Sequence, residues 1–243
     1  MNANKRVFVT YGDNKFANDL SRIKEEALSL NRFDHIIADT DSTIKKHSVF
    51  QNALQDDYFN QTYSSPRGGG YWIWKPFVIF KTLQDMKDGG ILLYTDAGCK
   101  LINTNYAALK MNDYERKARD SASGILGFRN PCIESTWTKG DAFCHFNLEK
   151  NSSAYSSRQF TANRLLIQKN KKSVEIINKW WTTAKQAPFL FDDSPSKYPN
   201  FENFQDHRHD QSILSLILKT SSISEEWDWK EANSVIARKG SWG

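Results

Sequence analysis

The chain has 243 residues, of which 39% are apolar, 25% charged and 13% aromatic, ample material for one folded core and one compact domain. Lys and Arg number 33 against 28 Asp and Glu, and the resulting charge of +5 suits an anionic small ligand or a membrane surface but is no polybasic nucleic-acid arm. With 12 Gly and 6 Pro beside 8 Trp, 9 Tyr and 15 Phe, collagenous, low-complexity and largely disordered chains are excluded.

Arg6 to Thr10 is a short β-rich run stopped by Gly12-Asp13-Asn14, which predicts a first buried strand and a polar turn. Val7-Phe8-Val9 is too brief for a signal-peptide core, so the cytoplasm is the expected location. Phe16, Leu20, Ile23 and Ala27 then fall on one helical face, with Lys24, Glu25 and Glu26 on the other. Asp34 to Asp39 reads as a second strand, which gives β-α-β and the start of a parallel α/β sheet. A polar helical stretch runs from His47 to Tyr58. Pro66-Arg67-Gly68-Gly69-Gly70 is the strongest breaker in the chain, and it lacks the Lys-Ser/Thr ending of a phosphate-binding P-loop, which argues against ATP hydrolysis. Pro76 fits the first turn of a helix that Phe77, Ile79, Phe80, Leu83 and Met86 continue. Ile91 to Thr95 is the best central strand, buried on both faces and ending in Asp96-Ala97-Gly98 at the edge where open α/β sheets bind ligands.

The second half is more mixed. Strands are expected at Gly124 to Phe128 and Thr161 to Gln168, an irregular aromatic region from Trp137 to Phe146, and a helix from Ser173 to Ala184. Trp180 and Trp181 are adjacent on that helix, so at most one is expected to face the core. Pro188 to Asp206 is loop-like and leads into an apolar helix ending at Leu218, and Ser234 to Lys239 is a late strand or tail. Apolar runs such as Ile213 to Leu218 fall far short of the roughly 20 residues that span a bilayer, so a soluble chain is expected. Cys99, Cys132 and Cys144 lack the paired spacing of a zinc or redox site and read as reduced, packed thiols.

Several side chains carry chemistry and each has a plainer reading beside it. Asp96 can reach a metal-bound diphosphate, or simply form a turn. Lys75 stands at a helix start, where backbone donors favour phosphate, or snorkels beside Trp74. Arg238 either closes over a diphosphate or is a solvated charge near the end of the sequence. Asp210 is a candidate general base or the cap of the following helix. His207 and His209 flank it, and His209 is the late histidine that can complete an Asp96-bound metal. Glu134, Trp137, Lys139 and Asp141 form a polar-aromatic cluster suited to sugars, Trp137 being equally a core ring.

Three blocks keep one order along the chain: Tyr71-Trp72-Ile73-Trp74-Lys75-Pro76, Leu93-Tyr94-Thr95-Asp96-Ala97-Gly98-Cys99 and Arg208-His209-Asp210-Gln211-Ser212. Together they resemble small nucleotide-sugar glycosyltransferase families of the GT-A fold. The resemblance implies one α/β domain over 1–243 with a Rossmann-type, mixed and mostly parallel sheet flanked by helices. Residues 1–100 would form the nucleotide-binding half and 101–243 the acceptor and sugar-binding half. It further implies donor contacts from Thr10, Tyr11, Asp39, Trp72, Lys75, Asp96, Ala97, Gly98 and Arg238, and acceptor contacts from Glu134, Trp137, Lys139 and Asp141. Asp210 would be the catalytic base. A divalent metal, Mn or Mg, on Asp96 and His209 belongs to this picture, although Gly98 stands where the Asp-x-Asp signature has its second acid. The expected reaction moves a sugar to a hydroxyl of a glycan or glycolipid in surface polysaccharide synthesis, with peripheral contact at the inner face of a membrane and no nucleic-acid partner. A non-catalytic carbohydrate-binding module would explain the aromatics but not Asp96 or Lys75. A nucleotidyltransferase would need a Gly-rich basic loop near the N-terminus, where only Lys15 is found.

Overall fold

The computed structural model describes residues 5–148 and 153–238. Strand β1 (Arg6–Tyr11) leads through helix α1 (Ala17–Ser29) to β2 (His35–Asp39), the β-α-β unit that the alternation of periods predicts. Leu20, Ile23 and Ala27 are buried as expected, whereas Phe16 lies before the helix and is exposed. The expected polar helical stretch divides into two short helices, Ser48–Ala53 and Asp57–Tyr63. Helix α2 (Lys75–Asp85) carries Pro76 in its first turn, where a missing N–H costs nothing. It delivers the chain to β3 (Ile91–Thr95) and the short β4 (Cys99–Leu101).

Helix α3 (Asn105–Asp120) follows, with Ala107, Met111, Tyr114 and Ala118 buried on one face. Strand β5 (Ile125–Ile133) runs five residues beyond the expected Phe128. The expected strand at Thr161 to Gln168 starts only at Arg164, as β7 (Arg164–Gln168), because the chain bends over 161–163 after the short β6 (Arg158–Phe160). Helix α4 (Lys171–Gln186) buries both Trp180 and Trp181, against the expectation of one. The helix is covered on two sides: Trp181 meets Phe50, Phe59 and Phe77 in ring contacts, and α4 also packs on the next helix, α5 (His209–Lys219). Strands β8 (Ser224–Glu226) and β9 (Ile236–Arg238) complete the order; Lys239, in the expected late strand, lies outside the described residues.

The main sheet runs β2-β1-β3-β7-β5-β6, with β8 on β5. β1 pairs in parallel with β2 and β3, β7 lies antiparallel between β3 and β5, and β8 is parallel to β5. Five of its seven strands therefore point one way, and only β6 and β7 oppose them. Leu92 and Tyr94 join the apolar cluster of α2, α4 and α5 on one face, while Leu93 joins that of α1 and α3 on the other. Because β3 is covered on both faces, its run of five apolar or neutral residues is wholly buried. The ends of β1 and β3 and the start of antiparallel β7 consequently share one edge, where Tyr11, Asp96 and Asn163 stand.

Candidate active site

Two cavities open at that edge. The smaller, about 220 Å³, is walled by Tyr11, Asp13, Trp74, Asp96, Ala97 and Gly98. The larger, about 440 Å³, contains Lys75, Trp137, Arg208, His209, Asp210 and Gln211. Trp72, Asp96, Asn163 and Arg238 line both, so the two adjoin at Asp96. Tyr11 stacks on Trp74 with ring centroids 3.8 Å apart, which makes one wall of the smaller cavity a flat aromatic pair.

The centre of the site is a buried ammonium between two carboxylates. Lys75 Nζ is 3.0 Å from Asp96 Oδ1 and 2.6 Å from Asp210 Oδ2, with its side chain 2% exposed. The snorkelling reading of Lys75 is thus excluded. Burial opposes its charge, but Asp210 and Asp96 prevail and raise its pKa. Asp210 is pushed up to about 6, chiefly by burial and further by Asp96, against the pull of Lys75. Asp96 Oδ1 also accepts the Tyr94 hydroxyl at 2.7 Å. Both contacts fall on one oxygen of a side chain that remains 29% exposed, so a ligand can approach the other.

Asp210 is not the helix cap. Arg208 occupies the N-cap without a side-chain bond, and the Asp210 carboxylate lies one residue inside α5 and turns to Lys75. Left-handed backbone at Tyr71, Trp72 and His209 brings three rings together, the His209 ring lying 5.0 Å from Tyr71 and 5.6 Å from Trp72. Each such non-glycine residue stores about 1–3 kcal/mol, which packing around the site must offset.

Among the described residues, no group of three or more His, Cys, Asp or Glu is arranged to hold a metal. Asp96 can give one carboxylate oxygen, with substrate phosphates supplying the rest of a magnesium or manganese shell. A Cβ on Gly98 would meet nothing within 4 Å, so open space lies where a second acid would stand. His209 is neutral and has one ring nitrogen uncommitted: Nδ1 donates to the Phe191 carbonyl at 2.9 Å, Nε2 is buried 3.8 Å from Asp193 without a hydrogen bond, and burial lowers the pKa to about 4.

Other expected contacts are structural. Thr10 is fully buried and lines neither cavity, because its side chain points to the face of β1 opposite Val9 and Tyr11. Asp39 is buried against Lys81 at 2.7 Å and the Thr43 hydroxyl. Glu134 holds Lys219, Ser215, Thr138 and Gln159 inside the core. Lys139 is buried and donates to the Phe189 and Asp192 carbonyls, and Asp141 accepts the N–H groups of Lys197 and Tyr198. Of that cluster Trp137 lines the larger of these two cavities and the other three line neither. Asn163 was not expected there, and Arg208 only as the opening residue of the third block. Asn163 is in a turn whose sequence shows no motif, while Arg208 adjoins His209-Asp210 and was legible by position.

No protein-family model matches the chain, and no curated protein matches it. Solved structures are similar to it. The apo structure of the bifunctional glycosyltransferase WbbM superposes with a TM-score of 0.50 at 11% identity, over 92% of this chain and 39% of that one. Galactosyltransferase LgtC in complex with donor and acceptor sugar analogs gives 0.47 at 12%, over 90% and 72%. Core-mannan synthase A from Aspergillus fumigatus, in its Mn/GDP form, gives 0.46 at 8%, over 93% and 73%. At such identities the likeness is one of fold, and that fold is a GT-A-like α/β fold.

Proposed function

We propose that the protein is a glycosyltransferase that moves a sugar from a nucleotide-sugar donor to a hydroxyl of a glycan or glycolipid. The observation that carries this reading is the pair of cavities meeting at Asp96, with Asp210 in the larger one only. A donor fits the smaller cavity, its base or ribose against Tyr11 and Trp74 and its diphosphate toward Asp96, Gly98 and Arg238. An acceptor fits the larger cavity over Trp137. Asp210 then takes the acceptor hydroxyl proton in an inverting displacement, and a pKa of about 6 keeps it ionised yet basic at neutral pH. Lys75 fixes both carboxylates at the junction. A divalent metal on Asp96 would neutralise charge on the leaving diphosphate. A purely carbohydrate-binding module has no use for a fully buried Lys between two carboxylates.

No helix among the described residues is long and apolar enough to cross a membrane; a glycolipid acceptor would be reached by peripheral contact, at the inner face of a membrane in this reading. The test is a thermal-shift series with UDP, GDP, CMP and dTDP sugars, with and without manganese. A rise with one nucleotide class, followed by release of that nucleotide when acceptor is added, is expected. No shift with any of them would sink the proposal.

A further inference from the structure

On the wall of the larger cavity cations outnumber carboxylates. Two carboxylates, Asp96 and Asp210, line it with four cations, Lys75, Arg67, Arg208 and Arg238. Lys75 is taken up by the carboxylates. Arg67 is bound by Asp193 at 2.8 Å and by Asp206 at 3.0 Å. Among the described residues, the acid nearest Arg208 is that same Asp206, whose Oδ2 already holds Arg67 and lies 3.7 Å away, a partly exposed pair of the kind that contributes little. Its guanidinium instead lies over the Trp137 ring, 4.0 Å from the centroid. Arg208 and Arg238 both lower the pKa of the Cys132 thiol, which burial raises, so their fields converge on one stretch of the cavity wall.

A guanidinium fork binds a carboxylate or phosphate through two parallel hydrogen bonds, and an indole packs on the C–H face of a sugar ring. Arg208 and Trp137 present these two surfaces side by side, and no acid of the cavity wall lies unpaired beside them. We infer that the acceptor is an anionic sugar, its carboxylate or phosphate held by Arg208 while its ring lies against Trp137. This rests on the larger cavity being the acceptor site of the proposed transferase.

The test titrates methyl β-D-glucuronide, glucose 6-phosphate and methyl β-D-glucoside into the whole chain by NMR, for the wild type and Arg208→Gln. One of the anionic sugars should bind at least about tenfold more tightly than the glucoside, in line with a hydrogen-bonded charge, and the better of the two identifies the anion. Arg208→Gln should remove that advantage and leave the nucleotide-sugar thermal shift in place, because Arg208 does not line the donor cavity. Added salt should weaken the anionic sugar and spare the glucoside in the wild type, a check independent of how the variant folds. Equal or undetectable binding of all three sugars, or an anionic preference that survives Arg208→Gln or high salt, overturns the inference. A charge preference without a shift from any nucleotide sugar keeps the anionic-sugar site and removes the transferase reading.

Discussion

Lys75, Asp96 and Asp210 belong to three separate blocks of sequence, and their chemistry depends on both carboxylates lying within 3.0 Å of the Lys75 ammonium. Asp210→Asn keeps the shape of the side chain and removes the base, so turnover should fall by about two to four orders of magnitude. The Tm should drop without loss of the fold, since Lys75 retains Asp96 as a partner. Near-normal turnover would show that Asp210 is not the base. The raised pKa of Asp210 gives the sign of the pH dependence. Protonation below about pH 6 removes the basic form, so kcat/KM should rise with pH up to about 6 and then level off, and an acid limb near pH 4 would contradict the assigned base. Motif order made these three residues legible as candidates. It could not distinguish them from Asp39, Glu134, Lys139 and Asp141, which are the same residue types but are consumed by buried partners. That difference is one of which side chains face the cavity, and it depends on contacts far apart in the sequence.

Long elements were written in the sequence by their periods, as α1, α2 and β3 illustrate. Ala107, Met111, Tyr114 and Ala118 in α3 carry the same helical spacing and were open to the same reading. The strands β4, β6, β8 and β9 have three residues each, too few for alternation to register. Between elements, the Gly68–Tyr71 turn depends on left-handed backbone, and a Cβ on Gly70 would strike the Tyr63 carbonyl. Gly70→Ala should therefore cost about 2 kcal/mol or more of stability and weaken donor binding through Trp72, measured by urea unfolding and thermal shift. The loop before α5 is pinned by His207, whose Nε2 donates to the Leu190 carbonyl and whose Nδ1 accepts from the Lys139 N–H. Burial lowers the His207 pKa well below its usual 6.5. Its neutral form thus contributes stability that is fully present above about pH 6.5 and lost as pH falls toward the folded-state value. The gap in urea midpoint between the wild type and His207→Gln should narrow as the pH is lowered from 7; a gap independent of pH would mean that the histidine titrates alike in both states.

At the scale of the molecule, the opening β-α-β unit announced the parallel part of the sheet, whereas nothing in Arg164 to Gln168 announces that β7 runs backwards between β3 and β5. Direction is set by what remains unpaired once the other strands are placed, which no local pattern records. The same global arrangement brings Asp96 to the cavities with no group of three or more acids, histidines or cysteines around it among the described residues. Manganese alone should leave the melting temperature unchanged, and it should enhance the shift only when a nucleotide sugar supplies phosphate oxygens. A shift with manganese by itself would reveal a preformed metal centre and contradict this account.

The junction of the two cavities draws on Trp72, Asp96, Asn163 and Arg238, spread from the first third of the chain to β9. A ribosome emits these residues in that order, and β3, already paired with β1 on one edge, has to wait for β7 to cover the other, while β4 waits for β9. Folding by such distant pairings is slow and leaves strand edges exposed meanwhile. Nascent chains stalled before Ile236 should therefore be readily digested by protease and unable to retain a nucleotide sugar, and donor added during synthesis would act only after β9 has emerged.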